Sequence, residues 1–173
     1  MIKSLLITVL VGIQSICYGQ NLFLIGEKSY PCTETFVLDS NMGFLNEGLS
    51  VLIAKDGNKG MIVVSKKVTS TNDRIKGKLI IYLDDGTVIS CIDGNKNDMV
   101  DNITSSVYFL TNEELNKMKS SNIYSIRYSI KCVDCVFSTS DGDYSVSNKD
   151  SDSGDLITKK RTDVPSLIRE LFD

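Results

Sequence analysis

The run Leu49-Ser50-Val51-Leu52-Ile53-Ala54-Lys55-Asp56-Gly57-Asn58-Lys59-Gly60-Met61-Ile62-Val63-Val64 decides the fold. Apolar stretches rich in β-branched residues enclose Lys55 to Gly60, a segment that tolerates positive φ, and residues 49–68 therefore read as a β-hairpin. The pattern repeats downstream as Lys78-Leu79-Ile80-Ile81-Tyr82-Leu83, the turn Asp84-Asp85-Gly86, and Thr87-Val88-Ile89-Ser90-Cys91-Ile92. Leu79 to Leu83 is apolar at both alternating sets of positions, which predicts a strand covered on both faces and central in its sheet. Working outward, Thr33 to Leu38 reads as a strand after a short leader, followed by a loop through Asp39-Ser40-Asn41-Met42-Gly43. Asp93 to Asn102 reads as a polar loop and Ser106 to Leu110 as a further strand.

Helix signals come next. Thr111 with Glu114 forms a capping box, in which the hydroxyl accepts from the helix and the carboxylate reaches back to the cap's own N–H. The helix runs to about Ser120, with Glu113 and Glu114 at its positive end, Lys117 and Lys119 at its negative end, and Leu115 and Met118 as a narrow apolar face. From Ile123 the period becomes two: Tyr124, Ile126, Tyr128 and Ile130 share one face, while Ser125, Arg127, Ser129 and Lys131 share a wet one. On that face Arg127 reads as solvent-exposed rather than as an anion clamp. Residues 138–155, rich in Ser and Asp, have little to bury and read as a mobile loop. Asp163 then caps a short C-terminal helix over 164–172, with Pro165 in the first turn and Val164, Leu167, Ile168, Leu171 and Phe172 as its stripe. So short a helix is marginal alone in water and must dock, on its own sheet in preference to a partner protein. The whole predicts a mainly β domain over 20–173: an antiparallel sandwich or rolled sheet with one internal and one C-terminal helix.

Composition sets the limits on function. The 173 residues are 42% hydrophobic and 24% charged, an ordinary globular balance, and contain no His. That absence removes Ser-His-Asp and Cys-His nucleophile pairs, imidazole acid–base work and every His-ligated metal site. Met1-Ile2-Lys3 followed by the uncharged, mostly apolar Ser4 to Ile16 reads as a signal peptide. The run is too short to span a membrane, and cleavage falls after Gly19, before Gln20. A bulky Ile16 before Cys17 argues against a lipid anchor. Loss of Lys3 makes the formal net charge of −3 one unit more negative, which disfavours nucleic acid as a partner. Lys159-Lys160-Arg161 is too short a basic run to suggest an anionic membrane surface. The chain is expected to be exported, to the periplasm or the cell exterior, with no membrane-spanning segment after the leader is removed.

Cys32, Cys91, Cys132 and Cys135 survive processing, an even number that predicts disulfides in an oxidising compartment, with three complete pairings open. Cys132-Val133-Asp134-Cys135 is the one compact reactive motif. It follows a strand rather than opening a helix, and no proline stands nearby, so a structural bridge outweighs a redox site. A zinc site lacks a second Cys-x-x-Cys. Asp141, Asp143, Ser145 and Asp152 fall at EF-hand ligand spacing, but Val146 stands where the loop demands Gly; Asp93, Asn95 and Asn97 fail in the same way at Asp98 and Thr104. A looser calcium loop stays open. Asp84-Asp85, the tempting carboxylate pair for a hydrolase, is what a hairpin turn itself selects, and there it lacks the burial that raises a pKa. No catalytic, cofactor or metal residue is expected.

The succession Ala54 to Gly60, Leu79 to Val88, and Leu110-Thr111-Asn112-Glu113-Glu114-Leu115 running into Ile123-Tyr124-Ser125-Ile126-Arg127-Tyr128 resembles small exported proteins of Bacteroidota type, whose activity is not known. The leader ending Gly19-Gln20 suits that group. The resemblance covers about half the chain and rests on turn and cap signals, so it implies location and no active-site residues. The expectation is a non-enzymatic exported protein that binds or supports another envelope component. The alternative is a redox-active or metal-binding module on Cys132 and Cys135.

Overall fold

In a computed structural model, residues 21–40, 48–135, 140–153 and 157–173 are described; the leader and parts of the loops read at 39–43 and 138–155 lie outside them. Strands β1 (Asn21–Ile25) and β2 (Lys28–Cys32) form a hairpin, followed by β3 (Phe36–Ser40), β4 (Leu49–Asp56) and β5 (Lys59–Lys67). Then come β6 (Asp73–Ile75), β7 (Leu79–Leu83), β8 (Val88–Cys91), β9 (Asp93–Val100) and β10 (Ile103–Leu110). Helix α1 (Asn112–Ser120) leads to β11 (Ile123–Cys132), β12 (Gly142–Ser147), the small pair β13 (Ser151–Ser153) and β14 (Ile157–Lys159), and α2 (Val164–Phe172).

The main sheet is antiparallel in the order β8-β7-β11-β12-β3-β4-β5-β10-β9, with β6 also on β11 and β2 on β4. Only Ile92 separates β8 from β9, so one bent run of chain joins the two ends of this order and rolls the sheet into a nearly closed barrel. At the seam the Ile75 N–H donates to Thr104 Oγ1 (3.2 Å) and the Gly77 N–H to Asp93 Oδ2 (3.3 Å). Inward side chains of β4 and β5 (Val51, Ile53, Ile62, Val64) meet those of β7 and β11 (Leu79, Ile81, Ile126, Tyr128) in one core.

The predicted hairpins form in register, Val51 opposite Val64 and Ile81 opposite Ile89. Gly57 at φ +59° supplies the first turn and Gly86 at φ +84° the second. The capping box is present: the Glu114 N–H donates to Thr111 Oγ1 (3.2 Å) and the Thr111 N–H to Glu114 Oε2 (2.8 Å). Leu115 and Met118 join the core, and a Cβ on Gly60 would stand 3.0 Å from the Leu115 side chain, so β5 carries a glycine as its second residue, where α1 crosses it. Helix α2 buries Val164, Pro165 and Ile168, docking on its own barrel as expected. The two helices therefore cover one end of the barrel. Cys132, at the far end of β11, lies at the other.

Five sequence expectations change. The short leader before Thr33 is the β1–β2 hairpin, and the strand expected there begins only at Phe36. The strand buried on both faces is β5, not β7: Ile62 and Val64 face the core, whereas Met61 and Val63 lie under the added hairpin. Strand β7 is next to the end of the order, with Ile80 and Tyr82 only half-buried. The polar loop at 93–102 is mostly β9, which has one partner, β10, and so little to bury. In the Ser/Asp-rich segment, β12 pairs with both β11 and β3. A bulge between Ile123 and Ser125 turns Tyr124 outward, 60% exposed, and buries Ile123 in its place; bulges shift alternation by one residue in this way.

Candidate functional site

The β1–β2 hairpin crosses the outer surface of the barrel. Its Phe23, Ile25 and Tyr30 pack on Cys32, Ala54, Met61, Val63 and Val107, forming a second, smaller apolar layer. Alternation along β10 puts Ile103, Ser105, Val107 and Phe109 on this outer face, and Asp98 and Lys96 of β9 stand opposite Ser105 and Val107. The hairpin covers only part of that face. Between its β1 edge and β9 opens a cleft of about 350 Å³, lined by Phe23 to Gly26, Asn95 to Asp98, Ser105 and Val107. At opposite ends of the outward face of β10, Phe109 remains 45% exposed and Ile103 44%, the latter opposite Val100.

Local chemistry explains why the cleft walls sit where they do. Gly26 at φ +60° makes the tight β1–β2 turn, and Asp101 and Asn102, at φ +51° and +62°, make the β9–β10 turn; Asn and Asp tolerate this region better than other side chains. Asn95 also has positive φ (+53°), beside the register shift between Val107 and Tyr108 that sets Gly94 under the Phe109 ring. Asp98 Oδ1 accepts from the Met99 N–H at 2.8 Å. The Asn97 side-chain oxygen is buried with no hydrogen-bond partner among the described residues. The cleft thus offers an apolar floor, amide groups and one charge of each sign. It holds no constellation for nucleophilic or acid–base chemistry.

The residues singled out from sequence lie elsewhere and apart. Cys132 and Cys135 form a disulfide with Cα atoms 6.0 Å apart, in a turn after β11 where Asp134 takes φ +64°. Asp141 Oδ1 accepts from the Cys132 N–H, and Asn72 O from the Val133 N–H (2.9 Å). Cys32 and Cys91 are free and buried, Cys32 in the outer layer and Cys91 in the core, so the wall of the barrel separates them and the expectation of a second bridge is corrected. Burial raises the Cys32 thiol, and burial with nearby Glu114 pushes Cys91 up to about 12, which makes both poor nucleophiles. Tyr108, near Cys91 in the core, is likewise pushed to about 12, chiefly by burial.

Asp84 and Asp85 do not converge on a pocket. Asp84 takes the Arg161 guanidinium at 2.7 Å, while Asp85 accepts from the Thr87 N–H at 2.9 Å, which holds its carboxyl below the usual range. Asp143 accepts from Ser129 Oγ (2.5 Å), and no group of three acidic or cysteine ligands gathers among the described residues. Arg127 is exposed, as its position predicts. Sequence reading missed Lys66, which alternation places on the inner face with Ile62 and Val64 and whose Nζ reaches Gly48 O at 3.4 Å. It also missed the cleft, because both walls come from segments read as leader and loop. No helix among the described residues is long and apolar enough to cross a membrane. No protein family, curated protein or solved structure matches this chain.

Proposed function

We propose that this chain is an exported, non-enzymatic binding module of the cell envelope, similar in kind to the small Bacteroidota-type exported proteins that its turns and leader resemble. The cleft between β1 and β9, flanked by exposed Phe109 at one end of β10 and by Ile103 and Val100 at the other, carries the reading. Apolar area left open beside polar groups marks interaction surfaces. The Met1 to Gly19 leader and the Cys132–Cys135 disulfide support an oxidising destination.

Two measurements test it. Intact mass of the exported protein should correspond to a chain beginning at Gln20. A photo-crosslinker at position 98, beside the cleft, should trap an envelope component in living cells, whereas one at Arg127, on the wet face of β11, should not. Equal trapping at both positions, or a retained leader with protein confined to the cytoplasm, would refute the proposal.

A further inference from the structure

Resting on that reading of the cleft, we propose that its occupant is a single extended segment of another polypeptide, added as a third strand beside β1. Ile25 and Lys28 flank the tight turn, so they form a hydrogen-bonded pair, and alternation extends this to Phe23–Tyr30 and Asn21–Cys32. Leu22 and Leu24 fall between, opposite Pro31 and Ser29. Their main-chain N–H and C=O groups therefore point away from β2, toward an edge that no other described strand pairs with. Pro31, which has no N–H, fits the non-hydrogen-bonded position opposite Leu22. Donors and acceptors repeating at strand spacing are matched by another extended backbone, the basis of recognition by strand addition.

The side-chain surface agrees with this edge. Strands β1 and β2 cover the outer face as far as Val107, and one more strand beside β1 would lie over the cleft toward β9. Leu22 and Leu24, 58% and 65% exposed on a strand without a single charge, would gain cross-strand neighbours. Lys96 and Asp98 share the cleft side of β9 two residues apart, and both are exposed. The matching segment presents an acidic and a basic residue at the same spacing, with an apolar residue over Val107. A second copy fits poorly: antiparallel pairing of β1 with itself turns about an axis perpendicular to the layer, which puts both barrels on one side and drives their β9–β10 hairpins together. A cleft of about 350 Å³ accepts a strand rather than a domain.

The test is selection of a random heptapeptide library against the immobilised full chain, followed by synthesis of the enriched peptide with and without N-methylation at alternate residues. Expected are enrichment of acid-x-base spacing, a loss of affinity of about tenfold or more on methylating one alternate set but not the other, and slowed hydrogen exchange at Leu22 and Leu24. Exchanging the charges at Lys96 and Asp98 should weaken the peptide, and a charge-exchanged peptide should restore binding, which controls for misfolding. No enrichment or indifference to methylation would overturn strand addition, and a dimer abolished by Leu24→Lys would overturn another polypeptide as the occupant. A ligand blocked by Asp98→Lys without altered exchange at Leu22 and Leu24 would overturn strand addition while leaving the binding role of the cleft intact.

Discussion

Replacing Asn148 should damage this protein more than any other single change in the segment between β12 and α2, and its partners set the size of the effect. Asn148 is buried, and its Nδ2 donates to Thr162 O (2.9 Å), Ile123 O (3.1 Å) and Asn122 Oδ1 (3.3 Å) while its Oδ1 accepts from the Thr162 N–H (3.0 Å). In Asn148→Ala the carbonyls keep other donors: Asn122 Nδ2 still reaches Thr162 O at 2.9 Å, and Arg161 still reaches Ile123 O at 2.8 Å. Asn122 Oδ1 keeps the N–H groups of Ile123 and Val164. Only the Thr162 N–H is orphaned, at about 1–3 kcal/mol, and the lost packing adds about 1 kcal/mol. A total of about 2–4 kcal/mol lowers Tm by about 4–16 °C for a chain of this length. Asn148→Asp keeps the acceptor for Thr162 but turns a carboxylate oxygen toward three acceptors, so at neutral pH it should be worse than Ala. Its folded-state pKa then lies above the unfolded value, so the charge-related loss appears as pH rises through the folded pKa and disappears below about 4. Urea unfolding of the three proteins at neutral and acid pH checks this. An alanine variant within about 0.5 kcal/mol of the parent, or an aspartate variant that is pH-independent relative to it, would refute the reasoning.

Intact-mass alkylation of the native protein should add no label before reduction; unfolding without reductant should expose Cys32 and Cys91, and reduction should add Cys132 and Cys135. The bridge closes so short a loop that chain entropy assigns it only about 2 kcal/mol, and Cys132→Ser with Cys135→Ser should lower unfolding stability by no more than that. Thr111→Ala removes one arm of the capping box and should cost about 1 kcal/mol by denaturant titration, with α1 amides exchanging faster. The Ser166 side chain and N–H hold Asp163 below the usual carboxylate range. A lowered folded pKa contributes stability above the unfolded value of about 3.9 and loses it as pH falls through the folded pKa, so Asp163→Asn should flatten that acid limb.

What was legible in the sequence was whatever announces itself locally. The Gly57 and Gly86 turns, the Thr111 box and the stripe from Val164 to Phe172 each carry a short-range signal, and each is realised. Elements whose reason lies far away in the chain were illegible. Strand β12 reads as loop because Asp143 and Ser145 look like solvent residues, yet Val146 fills the core and the main chain bridges β11 and β3. Strand β9 has no apolar period because it is an edge. Strand β2 is masked by Pro31, whose position is acceptable only once its partner Leu22 is known. The walls of the cleft are β9 and β1, the partner of β2, and for that reason the sequence pointed to cysteines and carboxylates while the open surface lay elsewhere.

The contact between β3 and β12 has a bearing on how the chain reaches this fold. Val146 pairs with Ser40 and Ser147 with Asp39. The residues it brings together are on the order of a hundred positions apart, so the entropy of closing that loop is spent for little immediate return. The hairpins β4–β5, β7–β8 and β9–β10 repay their closure within a few residues and can form first. The pairing of β3 with β12 is then expected to follow those hairpins as a late step in folding.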